Sequence, residues 1–140
     1  MRAALPHAEL PVALVHGHFQ AVATAVRSAK DTHVAACAHA IVAGKFYPDV
    51  EAAILATNNI RDFSVGRLAD LGIEVVRPDA FLLDLFRQKA DGCAAAFAAL
   101  RTTLRSAPSP EQLLERLAAD GQVRTASALL SAAAQGLVRL

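Results

Sequence analysis

Residues 53–63 read AILATNNIRDF. An apolar run of strand length breaks off into Thr57, Asn58, Asn59, Arg61 and Asp62, groups suited to a cation and a phosphate. A short run that is continuously apolar, without alternation, predicts a buried strand of a parallel sheet. Upstream, Asp31 precedes THVAACAHAIVAG (32–44), a small-residue helix with Gly44 at its end. Between them KFYPDVE (45–51) reads as a loop, because Pro48 and Asp49 are turn residues. Downstream, a helix is expected from Phe63 to Leu71, stopped by Gly72, and IEVVRP (73–78) supplies a second strand. Helix, strand, helix, strand predicts an α/β fold with parallel crossovers. Open parallel sheets meet ligands at the carboxyl ends of their strands, and Thr57 to Asp62 lie at such an end.

Working outward, residues 1–10 look irregular and a noisy helical pattern runs from Pro11 to about Ala29, interrupted at Gly17. From Asp79 onward no strand signal appears. Asp79 is placed to cap the helix AFLLDLFRQ. Cys93, Phe97, Leu100 and Leu104 recur at steps of four, three and four, which puts them on one helical face. APSP (107–110) is a break. Ser109 and Pro110 then start a helix with Glu111 in its first turn and Leu113, Leu114 and Leu117 on its apolar side. Gly121 ends it, and a final helix runs to about Ala134. The expected organisation is a partial α/β domain over residues 1–78 and an all-helical C-terminal extension over 79–140.

Of the 140 residues, 54% are apolar, enough to form a core. Lys plus Arg number 14 and Asp plus Glu 13, a net charge of +1 that implies no strong global field but allows a local basic groove. The two cysteines, Cys37 and Cys93, make no disulfide framework and lack metal-ligand spacing, so they read as reduced core residues. No apolar run reaches the roughly 20 residues needed to cross a bilayer, and the first residues do not look like a secretory signal. The expectation is a soluble cytoplasmic protein.

Each candidate residue has a plain reading beside a functional one. Asp31 and Asp62 both precede a helix, where a carboxylate caps backbone N–H groups or, at the rim of a sheet, ligates a metal. Thr57 and Asn59 suit an Asx-type turn at a strand end as well as a ligand cluster. Arg61 is by default a solvated charge. His16 and His18 point apart on a helix, and His33 and His39 are poorly spaced for a pair.

Taken together, KDTHVAACAHAI, ATNNIRDF and LGIEVVRPDAFLLDLF resemble a PIN-domain protein, and more closely the toxin ribonucleases of bacterial toxin–antitoxin pairs, the VapC kind. The matching positions are Asp31, His33, Val34, Ala35 and Ala36. They continue in Thr57, Asn59, Ile60, Arg61, Asp62 and Phe63, and then in Gly72 to Val75 and Pro78 to Leu82. The likeness covers residues 27–90, and the helical tail looks like the C-terminal extension of a subset of these toxins. The resemblance implies a partial PIN-like parallel sheet flanked by helices. It also implies Mg2+ or Mn2+ held by Asp31, Asn59 and Asp62, with Asp31 and Asp62 as catalytic acids and Thr57 and Arg61 in support. RNA is the implied substrate and an antitoxin the implied protein partner.

The family pattern also has a first strand ending in an essential Asp and a Glu on a following helix. Only Glu9 precedes Asp31 as an acid. The expectation is therefore a PIN-like domain lacking about its first half, weakly active or inactive alone. A sheet stripped of a strand exposes an unpaired edge and a bare apolar face, which implies low stability or pairing as a homodimer. The competing reading is a non-catalytic module that binds an antitoxin or another subunit. In the tail, Arg101 and Arg105 are four apart and read as sharing one helical face. They are either surface charges or contacts to RNA phosphates or to an acidic antitoxin segment.

Overall fold

The two apolar runs pair as strands. Ala53–Ala56 (β1) lies parallel to Ile73–Val76 (β2), with Ala53 opposite Ile73 and Ala56 opposite Val76. A computed structural model describes residues 9–44, 47 and 49–140 of the chain. The expected irregular segment 1–8, and Lys45, Phe46 and Pro48 of the expected loop, lie outside the described residues. The chain divides into two compact units, Met1–Val76 and Arg77–Leu140.

In the first unit the helices in chain order are Val12–Gly17 (α1), Phe19–Val22 (α2), Thr32–Ala43 (α3) and Val65–Ala69 (α4). The long helical pattern expected from Pro11 to Ala29 is cut short after Val22. Val26 is instead extended and forms an antiparallel bridge with Phe63. Small side chains build the core: Ala35, Ala36 and Ala38 of α3 are buried beside Leu55, Phe63, Leu68, Ile73 and Val75. Alanine both favours the helix and lets it approach the sheet closely. Leu68 is fully enclosed at 0% exposure. Gly72 turns the chain from α4 into β2 with φ +74°, a left-handed conformation that an L side chain resists.

The strands are covered on one face only, not buried on both as their apolar runs imply. Leu55, Ile73 and Val75 point into the core, while Ile54 is 53% exposed and Glu74 is exposed. The alternation of a one-sided sheet is hidden in β1 because its outer residues, Ile54 and Ala56, are also apolar. The fold is thus mixed α/β: a two-stranded parallel sheet with helices, followed by a helical C-terminal region.

The second unit comprises Pro78–Gln88 (α5), Ala90–Thr103 (α6), Pro110–Ala119 (α7) and Val123–Ala134 (α8). Its core holds Phe86, Phe97, Leu113, Leu114, Ala126, Leu129 and Val138. Helix α7 begins with a full capping box: the Ser109 hydroxyl accepts from Gln112 N at 3.3 Å, and the Gln112 side chain accepts from Ser109 N at 3.0 Å. Asp79 does not cap its own helix; it sits inside the first turn of α5, behind Arg77 at the cap position. Its carboxylate caps α8, accepting from Arg124 N at 3.1 Å and Thr125 N at 2.9 Å.

The expected stripe of Cys93, Phe97, Leu100 and Leu104 holds in part. Phe97 is buried and Cys93 and Leu104 pack on the core, but Leu100 is 47% exposed. Both cysteines are free and partly buried, and burial pushes the Cys37 thiol up from its ordinary value. Among the described residues no helix is long and apolar enough to cross a membrane.

Candidate functional site

The backbone around Asp62 is tied to the segment just upstream of Asp31. Arg27 N donates to Asp62 O at 2.8 Å, Ser64 N donates to Ala25 O at 2.8 Å, and the Val26–Phe63 bridge lies between them. Burial of Phe63 in the core anchors this clamp. Asp31 ends the 3-10 turn Ala29–Asp31 and stands at the N-cap position of α3, yet its side chain makes no capping bond. Asp62 ends a second 3-10 turn, Ile60–Asp62.

Freed from capping, the Asp31 carboxylate faces Asn59. Asn59 Nδ2 donates to Asp62 Oδ2 at 2.6 Å and lies 3.4 Å from Asp31 Oδ2. Two carboxylates therefore aim at one amide nitrogen. The cluster lies where β1 ends: Thr57 N donates to Val76 O at 2.9 Å, closing the last rung of the sheet. The Thr57 hydroxyl then accepts from Asn59 N at 3.0 Å, which makes the turn and swings the Asn59 side chain toward Asp31 and Asp62. Asp31 and Asp62 are half-buried, whereas Asn59 and Arg61 are exposed. Asp31, Asn59 and Asp62 are thus brought together, with Thr57 shaping their turn and Arg61 beside them in sequence. Among the described residues no group of three or more His, Cys, Asp or Glu side chains is placed to hold a metal.

The two tail arginines are not brought together as a helical pair. Helix α6 ends at Thr103, and Leu104 is already extended with ψ 131°. The hydroxyls of Thr102 and Thr103 donate back to Ala99 O at 2.8 Å and Leu100 O at 2.7 Å. Arg105 therefore lies beyond the helix, exposed, while Arg101 is half-buried on it with its Nε enclosed and without an acceptor among the described residues.

One pair escaped the sequence reading. His18 Nδ1 and His39 Nδ1 lie 2.8 Å apart, one from the break between α1 and α2 and the other from α3. They are 21 positions apart, so no local spacing announces them. Burial first, and then the charge of His18, hold His39 below its ordinary value.

Comparison with known proteins bears on the helical unit. Residues 78–131 match the family model described as the VapC50 C-terminal domain. No curated protein and no solved structure matches the chain. The matched segment runs from the first residue of α5 into α8, so this part of the chain is similar to the C-terminal domain of a VapC-type, toxin–antitoxin-related protein.

Proposed function

We propose that the chain is the toxin component of a toxin–antitoxin pair. In this reading it is a PIN-type endoribonuclease that uses Mg2+ or Mn2+ and has weak activity at most when alone. The observation that carries the proposal is the convergence of Asp31 and Asp62 on the Asn59 amide at the carboxyl end of β1. Hard divalent cations take oxygen ligands. Two carboxylates and an amide, which carries an oxygen as well as its NH2 group, meet that requirement in kind.

The two carboxylates supply the negative charge that draws a cation to this end of the sheet. Asn59 fixes their separation, and Thr57 fixes Asn59 through its bond to the backbone. A bound cation would activate a water and neutralise charge developing on the scissile phosphate. Exposed Arg61 offers its guanidinium to a neighbouring RNA phosphate. Two charges hold a divalent ion weakly, because charge count drives such affinity, and this is the reason for expecting low activity. The same count favours the second reading, a non-catalytic module that binds an antitoxin or another subunit.

The test uses the full chain, labelled RNA, and Mg2+, Mn2+ or a chelator, together with NMR of the Asn59 side-chain amide during Mn2+ titration. The expected result is slow, metal-dependent cleavage that Asp31→Asn removes, and paramagnetic broadening centred on Asn59. Cleavage that survives in both Asp31→Asn and Asp62→Asn would place the chemistry elsewhere. Broadening with no cleavage at any metal concentration would leave the interaction-module reading.

A further inference from the structure

Helices α7 and α8 leave an open trough of about 460 Å3 between them. Its walls are apolar, from Leu114 and Ala118 on one side and Val123, Ala126 and Leu130 on the other. Val123 is 57% exposed and Leu130 53% exposed. They stand seven residues apart on α8, two helical turns and roughly 10 Å along one face. Exposed apolar side chains mark a contact surface where they are contiguous and not scattered singly, and these two border the same trough.

The trough has a charged edge of one sign. Glu111 and Glu115 line it from α7, four residues apart and so on the same side of that helix. Among the described residues no basic residue lines it. Arg101 acts on Glu111 from outside the trough, and Glu115 has no ion pair among the described residues. The backbone of both walls is already paired within helices, so an added strand finds no free sheet edge here. The trough is also open along its length, unlike the enclosed sites that surround most of a small ligand.

We propose that this trough is the docking groove for an amphipathic α-helix of another protein. Apolar side chains of that helix, at helical spacing, seat between Val123 and Leu130, and its Lys or Arg residues face Glu111 and Glu115. Charge complementarity selects this occupant: an acidic helix meets two carboxylates, while a basic one is drawn to them and oriented. The inference concerns α7 and α8 alone and stands whether or not the first unit cleaves RNA.

The test uses the full chain and a synthetic helical peptide of roughly four turns. The peptide carries leucines at helical spacing flanked by lysines, and the control replaces every lysine with glutamate. Binding is followed by fluorescence anisotropy and by NMR shifts. The expected result is saturable binding of the basic peptide that shifts α7 and α8 signals, with the acidic control at least about tenfold weaker. Leu130→Ser should weaken the basic peptide about tenfold and Glu115→Lys about fivefold. Both replaced side chains are exposed, so the melting temperature should stay within a degree or two of the wild type. Absence of saturable binding, or equal binding of the two peptides, overturns the proposal. So does a concentration-dependent dimer in sedimentation that Leu130→Ser dissolves, since a second copy would then be the occupant.

Discussion

Asp79 and Thr125, 46 positions apart in the chain, are joined by three hydrogen bonds. Asp79 Oδ1 accepts from Thr125 N at 2.9 Å and from Thr125 Oγ1 at 2.8 Å, and the same hydroxyl lies 3.1 Å from Asp79 O. Thr125 is 6% exposed, so its hydroxyl has little access to water. An N-cap is ordinarily supplied by the residue that begins the helix; here the start of α5 supplies it for α8.

Asp79→Ala is therefore expected to cost about 1 kcal/mol, the loss of the cap, because the Thr125 hydroxyl keeps the Asp79 backbone carbonyl as its acceptor. Partial burial pulls the Asp79 carboxyl up. The Thr125 backbone and hydroxyl bonds, with the Arg124 backbone bond and charge, outweigh it, and the net shift is downward from 3.8. The folded state thus binds this proton less readily than the unfolded state does. The contribution should be complete above pH 3.8 and fade as pH falls below it. Urea unfolding of wild type and Asp79→Ala across acidic pH checks both points: the two midpoints should approach each other as the carboxyl protonates.

A different substitution probes the first unit. Asn59→Asp places a third carboxylate where one amide now bridges two. Mn2+ affinity, measured by calorimetry, should rise roughly tenfold. Without metal the same change should cost about 1 kcal/mol through repulsion of the new carboxylate by the two half-buried ones, a loss that added salt reduces. Unchanged affinity would mean that no cation sits among these three side chains.

The histidine pair makes stability depend on pH near neutrality. Burial and then His18 lower the pKa of His39 below 6.5, so the folded state binds fewer protons than the unfolded one around that pH. Stability should be full above pH 6.5 and decline as pH falls through it. His39→Gln should flatten that slope. Thermal melts between about pH 5 and 8, the range in which histidine titrates, distinguish the two proteins.

Arg101 and Arg105 should respond differently to alanine. Arg101 is half-buried, so Arg101→Ala is expected to cost about 1 kcal/mol through lost packing. Arg105 is exposed. If it meets RNA phosphate, Arg105→Ala should lower the salt slope of single-strand binding by about 0.7 with no change in unfolding midpoint. Equal slopes for wild type and variant would leave Arg105 a surface charge.

What could be read from the residues followed how local the causes were. The strands at 53–56 and 73–76, the stop at Gly72 and the start at Ser109 rest on neighbours within a few positions, and all were legible. The end of α6 was not, because Leu104 keeps the apolar period while Thr102 and Thr103 turn their hydroxyls back onto the helix. The extended stretch at Val26 has an alanine-rich surrounding that favours helix; its pairing with the distant Asp62, Phe63 and Ser64 makes it otherwise. Asp79 next to Pro78 looked like a local cap, and a partner on α8 claimed it. The proximity of Asp31 to Asn59 and Asp62 was suggested by their shared place beside a helix start and by the family resemblance. Their hydrogen bonding depends on the clamp between residues 25–27 and 62–64, which no single motif encodes.

That clamp imposes an order of events during synthesis. A chain made from its N-terminus exposes Asp31 while Asn59, Asp62 and Phe63 have yet to be joined to it. The rung from Thr57 to Val76 must wait for still later residues. Asp31 and Asp62 cannot converge on Asn59 until residues 59–64 have left the ribosome and closed the clamp. If this site cuts RNA, the nascent chain is harmless to the message that encodes it until nearly the whole first unit is made.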